Sequence, residues 1–524
     1  MRVCLISREY PPETGFGGIA TFVRHLAHGL KELGHEVVVV SLAKEQEKQV
    51  DDNGVTVHRV LPFNIEGGLD KVNRCMPYSR YVLLTTLALW RDFYYLHQES
   101  PFYVVDSPEL LAESIYASVL RVVPLVIRLY TPHSKFMAEN LHNTAATFDH
   151  MFVAMLERVA MTSGDVLTSP SEDLAEFVSA DLNYPLANIH IVRNPIDPKE
   201  FSPEGDRAIA PDGRKIVLFV GRLEERKGIQ YLIDAVPEVM RQCPEAHFVV
   251  IGDDTVNAAG GQRSVLADLK SSLQRSGTSE NVTFIPRIPL TQLPAYYRSA
   301  EISVVPSLYD NSPYTCLEAM SCGRAVIGTS AGGTPEYIGN DESGLIVPPK
   351  DAGALVQAIV VLLKDDSYRL RLGANARNRV LEKFQRTKIA AQTVELYDLA
   401  AERFKARGKV LYLRDAEQAL PDAAVMLYCF DRMLYNLLFQ ESWRFRLSYW
   451  WHSAAHRPKL FAAKLLLMVA RRVARLLGMR DQDRPPKLVA WLEKRVERGR
   501  EDPIQRVLAS AGIGPLSSSP PGGD

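Results

Sequence analysis

The sequence predicts an α/β protein: two doubly wound, Rossmann-like domains facing a cleft, followed by a mainly helical C-terminal extension. Three observations carry this reading. Short unbroken Val/Ile/Leu runs alternate with helical stretches from the first residues to about Arg407, as parallel strands covered on both faces do. The alternation breaks once, at Asn194-Pro195-Ile196-Asp197-Pro198 through Ser202-Pro203, and restarts at Lys215. From about Gly408 the strand rhythm stops, and Trp, Tyr, Arg and Leu become frequent. The domains are expected at residues 1–203, 204–407 and 408–524.

Taken in order, the first domain's strands are expected at 3–6, 37–40, 55–60, 103–105, 125–129, 166–168 and 189–192, with the first helix over 19–33. The second domain's strands are expected at 216–220, 247–251, 282–285, 302–305, 325–327 and 345–347, with helices between them. The last stretch, Ser517-Ser518-Ser519-Pro520-Pro521-Gly522-Gly523-Asp524, has the composition of a disordered terminus.

Composition narrows the function classes. Lys and Arg number 61 against 62 Asp and Glu, so no global basic field points to a nucleic-acid partner. The cysteines, Cys4, Cys75, Cys243, Cys316, Cys322 and Cys429, form no C-x-x-C pair and have no histidines at zinc spacing. No metal site is expected, and a reducing, cytoplasmic setting fits. The apolar run Val3-Cys4-Leu5-Ile6 is quickly followed by Arg8 and Glu9, too short for a signal peptide, and no run reaches the length of a membrane span.

Chemistry concentrates after the strand at 302–305, in Asp310-Asn311-Ser312-Pro313-Tyr314-Thr315 and, one turn into the next helix, Glu318. A loop at the carboxyl end of a strand, leading into a helix, is where open α/β sheets bind ligands. Pro313 marks the helix start, so amides near Tyr314 and Thr315 point at an anion with the helix dipole behind them. Glu318 can accept both hydroxyls of a ribose, and Asp310 sits on the loop above it. Taken alone, a D-x7-E pair would sooner read as a capped helix with a solvated carboxylate at each end. A second strand-loop-helix, Val220-Gly221-Arg222-Leu223-Glu224-Glu225-Arg226-Lys227-Gly228, adds context. Gly221 permits close backbone approach, and Arg222 and Lys227 place cations where a diphosphate needs neutralising. The plainer alternative is a surface turn whose cations pair with Glu224 and Glu225.

Two other matches are set aside. Gly15-Phe16-Gly17-Gly18-Ile19-Ala20 fits the dinucleotide fingerprint G-x-G-x-x-A, but residues 8–14 separate it from the first strand, and Ser41 stands where an acid should end the second strand. Asp481-Gln482-Asp483 resembles a metal-binding D-x-D but lies in a polar stretch with no strand before it.

Gly221-Arg222 with Lys227-Gly228, and Asp310 leading to Glu318-Ala319-Met320 and Cys322-Gly323, resemble the retaining glycosyltransferases of family four. Glu9-Tyr10-Pro11-Pro12 with Gly17-Gly18-Ile19, Pro132-His133, Asn194 to Asp197, and Gly332-Gly333-Thr334-Pro335-Glu336 match in the same order, so the similarity runs from residue 1 to about 400. The resemblance implies a GT-B fold, with a UDP- or GDP-sugar donor bound mainly by the second domain. It further implies transfer of a hexose to a glycan or lipid-linked acceptor with retained configuration, and no cofactor beyond the donor itself. Carried over by position, Arg222 and Lys227 bind the diphosphate and Glu318 the ribose. The Gly17 and Gly18 amides bind phosphate from the opposite domain, while His133 and Asp310 touch the donor sugar. Asp310 departs from the family's glutamate by one methylene. A GT-B nucleotide-sugar epimerase or phosphorylase, or a degenerate scaffold, are the alternatives.

The tail carries a further signal. Residues 442–480 contain no Asp or Glu. Wound at 3.6 residues per turn, 459–479 puts Lys464, Arg471 and Arg475 on one side and Leu465, Leu466, Val469, Val473, Leu476 and Leu477 broadly opposite. With Trp443, Trp450 and Trp451 upstream, this resembles a helix in an anionic membrane interface, which would place the protein at the inner face of the membrane. A helix packed on the preceding domains reads equally well.

Overall fold

The computed structural model describes residues 1–15, 17–63, 76–138, 147–255, 264–339 and 342–407, and eight helical positions between Trp451 and Leu466. Residues Met1–Leu61 with Leu96–Lys409 form one compact unit, and Pro62–Tyr95 with Val410–Asp524 a second.

Within the first unit lie two sheets. The amino-terminal one contains β1 (Arg2–Ile6), β2 (Glu36–Leu42), β3 (Lys48–Asp52), β4 (Val55–Val60), β5 (Val104–Pro108), β6 (Leu125–Arg128), β7 (Val166–Ser169) and β8 (Ile189–Ile191). Their spatial order is β3, β4, β2, β1, β5, β6, β7, β8. The second holds β9 (Lys215–Val220), β10 (Ala246–Ile251), β11 (Val282–Ile285), β12 (Ile302–Val305), β13 (Ala325–Thr329) and β14 (Leu345–Val347), ordered β11, β10, β9, β12, β13, β14. All pairings are parallel except β3 with β4. These are the two Rossmann-like domains, and in each the order reverses beside the first strand, which opens a crevice at the strands' carboxyl ends.

Every strand expected from hydrophobic runs is present. Strand β3 is not among them, because Lys48-Gln49-Val50-Asp51-Asp52 is polar and carries no apolar run. It closes the edge of the sheet antiparallel to β4, where charged side chains discourage further pairing. Strand β5 runs on through Asp106, Ser107 and Pro108, which are all buried. A carboxylate tolerates that position because the β6 guanidinium of Arg128 meets Asp106 at 2.7 Å.

The helices that shape the site are α1 (Gly18–Glu32), α2 (His133–Ala138), α3 (Phe148–Ser163), α4 (Glu172–Leu182), α5 (Tyr314–Ser321), α6 (Thr334–Ile338) and α7 (Arg386–Arg407). Helix α7 differs from its expected place in the second domain, since it lies on the first sheet. Tyr397 donates to Asp106 at 2.7 Å, and an added Cβ on Gly29 of α1 would lie 2.5 Å from the Arg386 carbonyl. The chain thus crosses between domains twice, at Ile196 and at Gln385, and these two residues pair in a parallel bridge.

In the second unit, the helical residues Trp90 and Phe93 lie with ring centroids 5.0 Å apart, and Arg91 covers the Phe63 ring. Trp451 is 79% exposed and Leu466 57%. Lys464, Arg471, Arg475, the 481–483 motif and the last eight residues lie outside the described residues. Among the described residues no helix is long and apolar enough to cross a membrane.

Candidate active site

Both crevices open on one cavity of about 640 Å³. From the first domain, the start of α1 enters it. Gly17 is that helix's N-cap, its first amides are unclaimed by any capping side chain, and added Cβ atoms at Gly17 and Gly18 would meet nothing closer than the Tyr314 ring at 3.7 Å. From the second domain, α5 enters with Pro313 as its N-cap and again no capping side chain. Two helix amino ends therefore present unsatisfied N–H groups and positive dipole ends to the same space. Such a pairing favours negative charge in that space.

Lys227 precedes Gly228, whose φ of 66° and contact with the loop after β12 fix the turn; an added Cβ would sit 1.8 Å from the Pro306 carbonyl oxygen. The turn delivers Lys227 Nζ to within 2.6 Å of Asp310 Oδ2. Burial alone would raise the Asp310 pKa, but Lys227 and Arg226 together hold it below the usual range. Arg226 also donates to the Tyr309 carbonyl at 2.9 Å and to Glu224 at 2.8 Å. Arg222 reaches the rim, with 56% of its side chain exposed and Glu224 at 3.3 Å. The alternative in which these cations pair with neighbouring glutamates thus holds for Arg222 and Arg226, whereas Lys227 points inward.

Glu318 lies one turn into α5, buried, with Tyr297 donating to it at 2.7 Å. Burial lifts its pKa to about 7, and the Tyr297 hydrogen bond opposes that rise. Behind α5, His25 stacks on the Tyr314 ring with centroids 6.2 Å apart, and its pKa falls to about 3, mainly through burial. A neutral imidazole therefore supports the helix start. Asn311 donates from its amide to the Tyr130 carbonyl across the cleft, and Asn194 donates to the Ser312 carbonyl at 3.1 Å.

Of the residues expected from sequence, Gly17, Gly18, Gly221, Arg222, Lys227, Asp310, Asn311, Ser312, Pro313, Tyr314, Thr315 and Glu318 all line this cavity. His133 does not. It is buried at the start of α2, its Nε2 lies 2.7 Å from Nδ1 of His150, and the two rings stack at 4.9 Å. Burial and the neighbouring imidazole bring its pKa down to about 4. Arg8, Tyr130, Phe136 and Arg226 line the cavity without having been singled out. Arg226 adjoins Lys227 in a charged run and could have been found there. Nothing in the local sequence marks the others.

Two parallel-sheet domains whose strand ends face one cavity define the two-Rossmann-domain class of α/β proteins, and similarity to known proteins fixes the family. Residues 204–379 match the model for glycosyl transferases group 1, and residues 17–195 that for the glycosyl transferase 4-like domain. The chain belongs to the family-four glycosyltransferases with the GT-B fold. It is 27% identical to an uncharacterized glycosyltransferase of Methanocaldococcus jannaschii, over 77% of this chain and 99% of that one. It is 26% identical to the glycogen synthase of Mycobacterium tuberculosis, over 80% and 100% respectively. Among solved structures, sucrose-phosphate synthase from Thermosynechococcus elongatus superposes with a TM-score of 0.61 at 23% identity, covering 77% of this chain and 99% of that one. Anabaena HepE in complex with UDP-glucose superposes with a TM-score of 0.56 at 15% identity, covering 76% and 99%.

Proposed function

We propose that this glycosyltransferase moves a hexose from a UDP- or GDP-sugar to an acceptor hydroxyl of a glycan or lipid-linked glycan, retaining configuration and without a metal. The observation that carries the reading is the convergence of two helix amino ends, at Gly17 and Tyr314, on one cavity beside Lys227, with Glu318 below. A diphosphate seated between those ends receives backbone N–H groups from both domains and the ammonium of Lys227, with Arg222 at the rim. The buried Glu318 carboxylate accepts the two ribose hydroxyls. As the bond between the sugar's anomeric carbon and the diphosphate oxygen breaks, these groups stabilise the charge appearing on that oxygen. The acceptor oxygen bonds to the anomeric carbon on the same face, and its proton passes to the departing phosphate. Fixed positive groups facing the cavity supply what a divalent cation would otherwise supply.

The test begins with nucleotide sugars screened by thermal shift, since a ligand at 100 times its Kd stabilises by about 2.7 kcal/mol. Transfer by the donor so found should survive excess EDTA, and NMR of the product should show the donor's anomeric configuration. Strict dependence on magnesium or manganese, or an inverted product, would overturn the mechanism.

A further inference from the structure

One wall of the cavity is held by buried carboxylates that the transfer chemistry does not use. Leu110 lines it from the segment after β5, Tyr130 and Thr131 from the loop after β6, and Phe136 from α2. Glu157 of α3 is fully buried between these loops. Its Oε1 accepts the Leu111 amide at 2.8 Å, and its Oε2 accepts the His133 amide at 2.6 Å. Glu109 accepts the Tyr130 amide at 2.8 Å, and it is the Tyr130 carbonyl that Asn311 of the donor-side loop touches.

The first loop is strained. Leu111 (φ 55°, ψ 27°) and Ala112 (φ 48°) are consecutive left-handed residues, and neither is Gly or Asn. Side chains with a Cβ avoid that region, and such strain persists only where surrounding contacts impose it. The Leu111 amide, at the strained position itself, is one of the two that Glu157 holds. Burial raises the Glu157 pKa to about 8, and the Leu111 and His133 amides oppose that rise.

We propose that Glu157 is a positioning residue: by accepting the Leu111 and His133 amides together, it imposes the strained turn, fixes the wall that the first domain presents opposite the proposed donor-binding residues, and so sets how the acceptor is seated. The inference rests on the reading of the cavity as a transfer site. It acts through the backbone and does not require Glu157 to touch either substrate.

Glu157→Gln keeps the side chain's size but turns an NH2 group toward one of two backbone donors. In the full-length variant, amide hydrogen exchange over 109–113 and 131–136 should speed up about tenfold or more while 310–318 stays unchanged. UDP, GDP and ADP should bind within about twofold of wild type, and acceptor KM should rise about tenfold with kcat little changed. Leu111→Gly makes the left-handed turn intrinsic to the backbone, so the effect of Glu157→Gln should be smaller in that background. The double variant also serves as the readout if Glu157→Gln alone does not fold. Faster exchange throughout the protein, donor and acceptor KM rising together, or strictly additive substitutions would overturn the proposal. If no nucleotide sugar supports transfer by the wild type, the proposed function fails, whereas the exchange measurements still decide the clamp.

Discussion

Lys227 faces Asp310 at 2.6 Å, so on the proposed reading one ammonium serves both a carboxylate and a diphosphate. Lys227→Ala removes one cation from the cavity and takes from the buried Asp310 its ion-pair partner, leaving Arg226 nearby. Losing a charged contact worth about 1.5–3 kcal/mol should cut turnover roughly tenfold or more, and Glu318→Gln should do the same. Unchanged kinetics in both variants would remove these residues from the site. On the same proposed reading, Glu318 gives donor binding a pH dependence. Its pKa is lifted to about 7, chiefly by burial, and the ribose hydroxyls need its ionised form. Nucleotide affinity should therefore climb as pH rises through about 7, and calorimetry at constant ionic strength reads it. Stability carries the opposite sign. A carboxyl with a raised folded-state pKa contributes fully below its unfolded value, and that contribution is lost as pH rises through about 7. A pH-independent nucleotide Kd between about 5.5 and 8 would contradict this role for Glu318. Lys227, Asp310 and Glu318 were legible because each follows a strand at a fixed offset. Glu109 and Glu157 were not, since their partners lie 21 to 46 residues away and only the fold brings them together.

At the scale of elements, helix α4 is capped from two domains. Ser171 accepts the Leu174 amide from within its own chain turn, and Glu336 of α6 accepts the Glu172 amide at 2.9 Å and the Asp173 amide at 3.2 Å. The same carboxylate meets Arg193. The glycines before α6 make the approach possible, since an added Cβ on Gly333 would lie 2.1 Å from the Asn311 carbonyl oxygen. Glu336→Ala should cost about 1–2 kcal/mol, the scale of a lost helix cap, read as a shift of the denaturation midpoint. No shift would mean that the Ser171 cap suffices. Gly332-Gly333-Thr334-Pro335-Glu336 was legible as a motif, but its role as a cap for the other domain was not. Strands show the same division. Buried Val-rich runs declare themselves, whereas β3 exists because β4 offers an unpaired edge to a polar segment.

For the whole molecule, the acid-free segment 442–480 is the part that the catalytic reading leaves unused. Each basic residue near an anionic leaflet contributes about 1 kcal/mol, and a Debye length of about 8 Å makes that attraction sensitive to salt. The exposed Trp451 and Leu466 give such a contact an apolar component. Full-length protein should co-sediment with anionic vesicles, not neutral ones, and release as salt rises. A chain ending at Arg407, verified to be folded, should not sediment. Indifference of the full-length protein to both vesicle types would set the membrane role aside. The basic run was visible in sequence, while the return of α7 to the first sheet was not, because nothing local marks a helix as belonging to a domain begun almost 400 residues earlier.

That return imposes an order of events during synthesis. The first domain's strands leave the ribosome early, but the helix that covers β5 and β6 and supplies the Tyr397 hydroxyl to Asp106 is made only after the entire second domain. Until then, the face of α1 that packs on α7 and the Arg128–Asp106 pair lack their partner. The nascent first domain waits, incomplete, for its last piece, and a fragment released at residue 203 should bind a hydrophobic dye and hold its tertiary structure less firmly than the same residues within the finished chain.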